Sequence, residues 1–190
     1  MKKEKNIRYL LLVAASMALI NVFCGIFLTS KLYDLAENSN QVVSSYYIIA
    51  YITIPLTCLA LRKLFKARSV EAMRLGGVLN SILIICIATL DDSQLISMYG
   101  IIAVLFGMSQ ACYYIPYGIV VATYAKNPIA YCTIANIIDS SANILFPITL
   151  GKIIDVRSFK TVAIVLVAIA IFQVLSTLKI DSFRSKAEFN

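Results

Sequence analysis

The chain has no histidine and few charged residues. Only 14% of its 190 residues are charged, whereas soluble domains average about 25%. Without histidine the chain lacks the side chain that most often carries protons or binds metal ions. No nucleophile motif and no pair of carboxylates with catalytic spacing is present in its place. We therefore predict neither an enzyme nor a metal centre, and we expect no cofactor.

The five cysteines form no CxxC pair and show no metal-ligand spacing. An odd number of cysteines at membrane depth argues against a disulfide framework. We interpret them as small buried hydrophobic side chains, because all of them lie inside apolar segments: Cys24, Cys58, Cys86, Cys112 and Cys132.

Apolar residues, by contrast, are abundant: they make up 60% of the chain, and its mean hydropathy is +0.83. Soluble domains are about 45–50% apolar. About 20 apolar residues are needed to cross the ~30 Å bilayer core, so a chain of this length holds about six such helices. The predicted fold class is all-α, a single polytopic six-helix membrane domain with a charged cytoplasmic tail over 181–190. The predicted helices cover about 7–30, 43–63, 71–90, 95–124, 128–151 and 160–178.

The net charge of +7 comes from basic residues at the predicted helix ends. There they indicate topology and contact with the headgroups of the lipid bilayer, and we expect no nucleic-acid partner. Of the 17 Lys and Arg residues, 13 lie on the side that holds both termini, Lys126 and the loop after the second helix. This bias predicts a multi-pass protein of the plasma (inner) membrane with both termini cytoplasmic.

The fifth predicted helix carries an acid, Asp139, near its middle. Asn136, Asp139, Ser140 and Asn143 follow the i, i+3/i+4, i+7 spacing of one helix face. No Lys or Arg lies at similar depth in any predicted helix. Because intramembrane acids are costly in lipid and functional by default, these four residues are candidates for binding a proton, a cation or a cationic substrate. The alternative is a neutral carboxylic acid that is hydrogen-bonded to a neighbouring helix.

The first, second and fourth helices also carry polar side chains. Asn21 lies in the first helix, where an amide either binds a ligand or joins two helices. Gln110 and Tyr114 are one turn apart on the fourth helix, and Tyr51 lies in the second. The tyrosines are candidates for stacking on an aromatic or sugar-like substrate. The alternative is an aromatic belt at the membrane interface. We favour that belt for Tyr46, Tyr47, Tyr113 and Tyr117.

Prolines interrupt three of the helices that carry polar residues. We interpret them as kinks first and as gating hinges second: Pro55, Pro116 and Pro147. The third and sixth helices have few polar side chains. We expect the first, second, fourth and fifth helices to surround a polar interior, and the third and sixth to face lipid.

Local sequence resembles one half of a major facilitator superfamily transporter. The fifth helix ends in FPITLGKIID, similar to the family's Pro–Gly–acid exit from this helix, and LFGMSQA in the fourth helix resembles its small-residue run at Gly107, Ser109 and Ala111. A short basic loop follows the second helix, where the family has its signature. The resemblance covers the whole chain. It implies two three-helix repeats and movement of a small solute by alternating access, together with a homodimeric copy or a second six-helix chain.

The basic loop keeps only part of the family's signature. Cys58 stands for its first glycine, Arg62 for its aspartate and Phe65 for its second glycine, while Lys63 and Lys66 fit. The resemblance is therefore to the superfamily and not to one subfamily.

Two other functions remain open. A substrate-binding membrane subunit of a multi-component importer, like those of energy-coupling-factor systems, fits the length and topology. Ala14 and Ala18 give the first helix a small-xxx-small pair for contact with another helix. Such subunits are usually rich in glycine, however, and this chain has only seven. The other possibility is an inactive fragment of a split transporter gene.

Overall fold

A computed structural model describes residues 2–182, with side chains described from Lys5 onward. This part of the chain contains eight α-helices and one π-helical segment, and no strand. Their bounds are α1 Lys2–Val22, the π segment Phe23–Phe27, α2 Leu28–Leu35, α3 Asn40–Ala67, α4 Ser69–Thr89, α5 Asp92–Ser97, α6 Tyr99–Tyr124, α7 Pro128–Val156 and α8 Phe159–Leu178. The predicted all-α fold is confirmed. The expected tail lies outside the described residues from 183 onward.

Within the described residues, six helices are long and apolar enough to cross a membrane. The first span, Lys5–Leu35, joins α1, the π segment and α2, and the others are α3, α4, α6, α7 and α8. The predicted number of spans is thus confirmed. The fourth helix, predicted from residue 95, begins at Tyr99, because α5 is a separate short helix that ends before it. The first and fifth spans continue past their predicted ends, to Leu35 and Val156.

Side-chain caps fix where three of these helices begin: α5, α7 and, through Ser158, α8. Asp91 accepts a hydrogen bond from the Gln94 backbone N–H, and the Gln94 side chain accepts one from the Asp91 N–H, which forms a capping box before α5. The bond from Gln94 holds the pKa of the Asp91 carboxyl below its usual value, with a smaller contribution from the Ser93 hydroxyl. The Asn127 side chain caps α7 by accepting a hydrogen bond from the Ala130 backbone N–H, and Pro128 is the first residue of α7, as the sequence predicts.

The packing of the six spans repeats with a period of three. The second span, α3, packs on the fourth, α6, and the fifth span, α7, packs in the same way on the first, α1. The third span, α4, also packs on the fourth, and the sixth span, α8, packs on the first. The third and sixth spans, α4 and α8, pack on each other. Exchanging the first three spans with the last three therefore leaves this set of pairings unchanged. Two three-helix repeats related by a pseudo-twofold axis have this pattern.

The third and sixth spans each bury one face at the centre of the bundle. Asn80 of α4 and Gln173 of α8 are at most 1% exposed, and Asn80 Nδ2 donates a 3.1 Å hydrogen bond to Gln173 Oε1. The prediction that these helices face lipid is wrong for these faces, because a buried interhelical hydrogen bond holds them together. Their opposite faces are exposed, with Ile164 and Ile171 among the exposed side chains.

Two glycines of α4 allow this central packing. A Cβ on Gly76 would lie 3.2 Å from the backbone carbonyl carbon of Cys112 in α6. A Cβ on Gly77 would lie 3.3 Å from a methyl group of Val174 in α8. Small residues at helix contacts let two backbones approach closely, which is how helices pack inside a membrane. α4 therefore contacts both α6 and α8 with little space between the helices.

Burial of the cysteines varies along the chain. Cys24 and Cys112 are buried as expected, and Cys58 and Cys86 are half-buried. Cys132 is exposed on α7, so the interpretation as a buried side chain is wrong there. α7 has the smallest buried share of the six spans, and this leaves most of its side chains without neighbours from the bundle.

Hydrogen bonds close the end of the bundle where α8 finishes. Arg74 of α4 donates to the Ile180 carbonyl at 3.0 Å, and the Tyr124 hydroxyl donates to the Asp181 carbonyl at 2.6 Å. Asn6 of α1 donates to the Asp181 carboxylate at 3.4 Å. A cation at a helix C-terminus satisfies carbonyls that have no partner within the helix. This end therefore joins α1, α4, α6 and α8.

Candidate functional site

Three of the predicted site residues form one hydrogen-bonded chain between α1 and α6. Gln110 Nε2 donates to Asn21 Oδ1 at 2.6 Å, and Asn21 Nδ2 donates to the Tyr114 hydroxyl at 2.8 Å. Gln110 and Tyr114 lie one turn apart on α6, so both reach the same position of α1. Gln110 is 6% exposed and Tyr114 is 53% exposed. The chain therefore runs from the interior of the bundle to its surface.

The first span becomes π-helical directly after Val22, one residue beyond Asn21. In this segment the Gly25 carbonyl accepts hydrogen bonds from the Tyr47 hydroxyl of α3 at 2.5 Å and from Thr29 Oγ1 at 2.8 Å. Single π turns inside α-helices are frequent at functional sites. The sequence analysis missed this segment, because no residue pattern distinguishes it from the surrounding α-helix.

A cavity of about 310 Å³ lies beside this chain, between the first span, α3 and α6. The rings of Tyr47 and Tyr51 form part of its wall and stack on each other, with centroids 6.0 Å apart. No charged side chain lines this cavity, here called the tyrosine cavity. Its lining residues are Asn21, Tyr47, Ala50, Tyr51, Ile54, Cys58, Phe106, Gln110, Ala111, Tyr114 and Ile115.

A smaller cavity of about 120 Å³ lies between α1, α6 and α7. Asp139 and Asn136 of α7 line it, opposite Tyr114 of α6. Tyr114 is thus a common wall of this cavity, here called the aspartate cavity, and of the tyrosine cavity. Asp139 is the one charged residue that lines either cavity. The remaining lining residues of the aspartate cavity are Ala14, Met17, Ala18, Tyr113, Tyr117 and Ala135.

The Asp139 carboxylate has a partner on its own helix. Asn143 Nδ2, one turn further along α7, donates to Asp139 Oδ2 at 3.2 Å and to the Asp139 carbonyl at 2.8 Å. In the part of the chain that the structure describes, the one salt bridge joins Lys31 to Asp92. Asp139 is exposed and has no cation beside it there. The carboxylate is therefore held by an amide and remains accessible.

Of the predicted binding residues on α7, Ser140 and Asn143 line neither cavity, and Ser140 is the one without a bond to Asp139 among the described contacts. It lies with Thr133, Asn136 and Ser141 along an open groove on the outer surface of α7. The predicted polar stripe is therefore divided: Asn136 and Asp139 reach the aspartate cavity, and Asn143 joins them through its bond to Asp139. Ser140 lies one position further around the helix and lines the open groove instead of the aspartate cavity.

The three prolines lie inside helices that continue past them: Pro55 in α3, Pro116 in α6 and Pro147 in α7. A proline has no N–H for the carbonyl four residues earlier. In α3 that carbonyl belongs to Tyr51 and in α7 to Asn143. Two of the three prolines therefore release a backbone carbonyl at a candidate site residue. Their role as gating hinges stays a prediction.

A tyrosine cluster connects α6 to α7 beside the aspartate cavity. The Tyr117 hydroxyl donates to the Tyr131 hydroxyl at 2.9 Å, and the rings of Tyr113 and Tyr117 stack with centroids 5.0 Å apart. Tyr113 and Tyr46 are buried, so their assignment to an interfacial belt is wrong. The sequence analysis missed Tyr131, which lies in the first turn of α7, since it falls on no polar stripe.

Fold and hydropathy together define a multi-pass membrane protein with six helical spans in the described part of the chain. No family model, no curated protein and no solved structure matches this chain. The resemblance to the major facilitator superfamily therefore depends on the sequence features given above.

Proposed function

We propose that the chain is a secondary transporter of major-facilitator type, either half-size or the N-terminal half of one, that moves a small solute by alternating access. The observation that carries the proposal is the pair of cavities at Tyr114. An acid on a membrane-spanning helix, Asp139, lines one cavity, and the Asn21–Gln110 amide pair lines the other, with Tyr114 as their common wall. Solute and ion sites of secondary transporters lie near the bilayer midplane between repeats. The period-three packing of the spans supports the same proposal.

A second six-helix unit, either another copy or another chain, is part of this proposal. Asp139 and Asn136 are exposed on α7, and in lipid the acid alone would cost about 2.5–3.5 kcal/mol on insertion scales. α3 and α7 have the smallest buried shares of the six spans. A facing unit would cover the polar groups and also the large apolar side chains that are exposed on these two helices: Ile48, Ile52, Leu56, Leu59, Ile134, Ile137, Ile144 and Ile148.

The proposed location is the plasma (inner) membrane with both termini in the cytoplasm. The support is the distribution of basic residues, 13 of 17 on that side. The hydrogen bonds of Arg74 and Asn6 to the end of α8 would then lie at the cytoplasmic end of the bundle.

The importer-subunit alternative loses one of the features that favoured it, although the length and topology of the chain still fit. Ala14 and Ala18 line the aspartate cavity, and Ala18 is 2% exposed. The pair therefore contacts helices of the same chain and is not a surface for a partner helix. A fragment of a split transporter gene stays distinguishable by the neighbouring reading frame, which would encode the second half.

A ligand screen followed by a flux assay tests the proposal. Purified protein in nanodiscs is heated with solutes of each charge class, because a ligand that binds the folded state raises the melting temperature. The solute that stabilises the protein is then tested for uptake into proteoliposomes under proton and sodium gradients. We expect uptake to exceed that of empty liposomes and to saturate. Absence of uptake for every stabilising solute, with and without a gradient, would refute the proposal.

A further inference from the structure

We infer that the tyrosine cavity and the aspartate cavity together form one site for a small organic cation. Its charged group lies at Asp139, and its aromatic or alkyl body lies against the tyrosine rings. The assignment rests on the proposed transport function and names its substrate class. It depends on the charge, the ring faces, the hydrogen bonding and the size of the two cavities.

The charge of the lining selects the sign of the ligand. Asp139 is the one carboxylic acid among the residues that line the two cavities. No Lys or Arg lines either cavity. An anion placed here would meet a carboxylate and no compensating cation, and like charges repel strongly where water is scarce. A ligand cation would instead provide the positively charged partner that Asp139 lacks among the described residues.

Ring faces extend the attraction for a cation beyond the carboxylate. Tyr51 is 66% exposed, and its ring stacks on that of Tyr47 with an interplanar angle of 16°. An ammonium group within about 6 Å of such a ring centroid is attracted by the ring's electron-rich face. Tyr114 presents its side chain to both cavities. A cation passing from the tyrosine cavity to Asp139 would therefore stay in contact with an aromatic ring.

The hydrogen bonding of the amides disfavours a sugar-like ligand. Asn21 uses its Oδ1 to accept from Gln110 and its Nδ2 to donate to Tyr114. A polyhydroxylated solute would find only the remaining donors and acceptors of the two amides, and each of its hydroxyls left unpaired in the cavity would weaken its binding. An organic cation needs few directed hydrogen bonds, so it fits a lining whose amides already bind each other.

The size of the site limits the ligand. The tyrosine cavity measures about 310 Å³, which is at the small end of the roughly 300–1,000 Å³ found for ligand pockets, and the aspartate cavity adds about 120 Å³. At Gly107 the helices α3 and α6 touch, since a Cβ there would lie 2.5 Å from the Ala50 carbonyl oxygen. This contact bounds the tyrosine cavity along α6, and it leaves room for a ligand about the size of one ring with a small ammonium group.

Calorimetric titration of the full chain in nanodiscs tests the assignment with three probes that share a benzyl group. They are benzyltrimethylammonium, benzyl alcohol and phenylacetate, which are cationic, neutral and anionic. We expect the cation to bind about tenfold or more tightly than the other two. Asp139→Asn should remove that preference. The matched control is Asp155→Asn, which changes an exposed acid near the end of the same helix and should leave the preference unchanged.

The Tyr51→Leu variant tests the aromatic contribution separately, because Leu keeps the apolar volume but has no ring face. It should weaken cation binding by about two- to fivefold.

Equal melting temperatures of Asp139→Asn and wild type without ligand would establish that the fold is intact. Because Asp139 is exposed, we expect this equality.

Two results overturn the cation assignment. One is tighter binding of phenylacetate or benzyl alcohol than of the cation, and the other is an unchanged preference in Asp139→Asn. Either result leaves the transport proposal standing if flux of another solute is found. Conversely, Asp139-dependent binding of the cation without flux of any solute would support the site and refute the proposed transport.

Discussion

Asn21 of the first span donates a 2.8 Å hydrogen bond to the hydroxyl of Tyr114, and Tyr114 is the common wall of both cavities. The bond holds the tyrosine hydroxyl against α1, and the same Asn21 side chain gives Gln110, a buried polar residue of α6, a partner at 2.6 Å. The position of one amide in the first span thus determines the shape of both cavities.

Replacing Asn21 by Leu should destabilise the bundle. Gln110, which is 6% exposed, would lose its acceptor, and Tyr114 would lose its donor. Interhelical hydrogen bonds in membranes contribute about 0.6 kcal/mol on average and up to about 1.7 kcal/mol, so we expect a loss of that size in the free energy of unfolding. Thr133→Val on the exposed side of α7 is the control, because the Thr133 hydroxyl bonds only within its own helix. Equal unfolding of Asn21→Leu and wild type in mild detergent would contradict the role of Asn21.

Adding a methyl group at Gly107 should force α3 and α6 apart. The new Cβ would lie 2.5 Å from the Ala50 carbonyl oxygen and 2.8 Å from the Thr53 Cβ. Overpacking of this kind costs about 1–3 kcal/mol. Gly118→Ala, on the same helix, is the matched control, because its Cβ would have no neighbour within 4 Å. There the better helix propensity of alanine should stabilise the protein slightly.

Melting temperatures in one detergent check this prediction. Gly107→Ala should melt below wild type, and Gly118→Ala at or slightly above it. If both variants melt at the same temperature, α3 and α6 do not touch at this position.

A double-mutant cycle should show coupling between Asn80 and Gln173. Asn80 Nδ2 donates to Gln173 Oε1 at 3.1 Å, and both residues are at most 1% exposed. Changing either residue to Leu leaves the other amide buried without this partner, whereas changing both removes the pair. The double variant should therefore be less destabilised than the sum of the single ones, by about 0.6–1.7 kcal/mol. Strict additivity in reversible unfolding would mean that the pair does not join α4 to α8.

Cysteine labelling in a background without native cysteines checks the proposed topology. A cysteine in place of Asn38, in the turn between the first two spans, should react with an impermeant reagent added outside intact cells. A cysteine in place of Lys126, in the exposed turn before α7, should react only after the cells are opened. Labelling of the Lys126 position from outside would reverse the orientation that the basic residues predict.

The sequence predicted the number of spans well because length and apolar composition determine which segments can cross a bilayer. It also selected Asn21, Gln110 and Tyr114 as candidate residues, since a polar side chain in an apolar helix needs a partner or a function. The structure joins these three side chains by hydrogen bonds. The sequence did not predict which helices lie at the centre. We predicted that α4 and α8 face lipid, because the buried face of each helix carries only one amide, Asn80 or Gln173, among many apolar residues.

Two features of the site could not be predicted from sequence for physical reasons. The π segment has one extra residue in a helical turn, and its Gly25 carbonyl accepts a hydrogen bond from the Tyr47 hydroxyl of α3, a contact between helices that local propensity does not encode. The division of the α7 stripe depends on the rotation of α7 against α6. Spacing alone places Ser140 beside Asp139, and only the packing shows that Ser140 lies outside both cavities.

Transport by Asp139→Asn protein tests the central claim most directly. The solute that stabilises the wild-type protein is assayed for gradient-driven uptake into proteoliposomes, with Asp155→Asn as the control for loss of an acid on α7. Asn keeps the shape of the side chain and its hydrogen bond to Asn143 but cannot carry a charge or a proton. We predict that Asp139→Asn folds normally and loses uptake or its dependence on the gradient, while Asp155→Asn behaves as wild type. Uptake by Asp139→Asn at the wild-type rate, with the same dependence on pH and ions, would show that Asp139 is structural and would contradict the account.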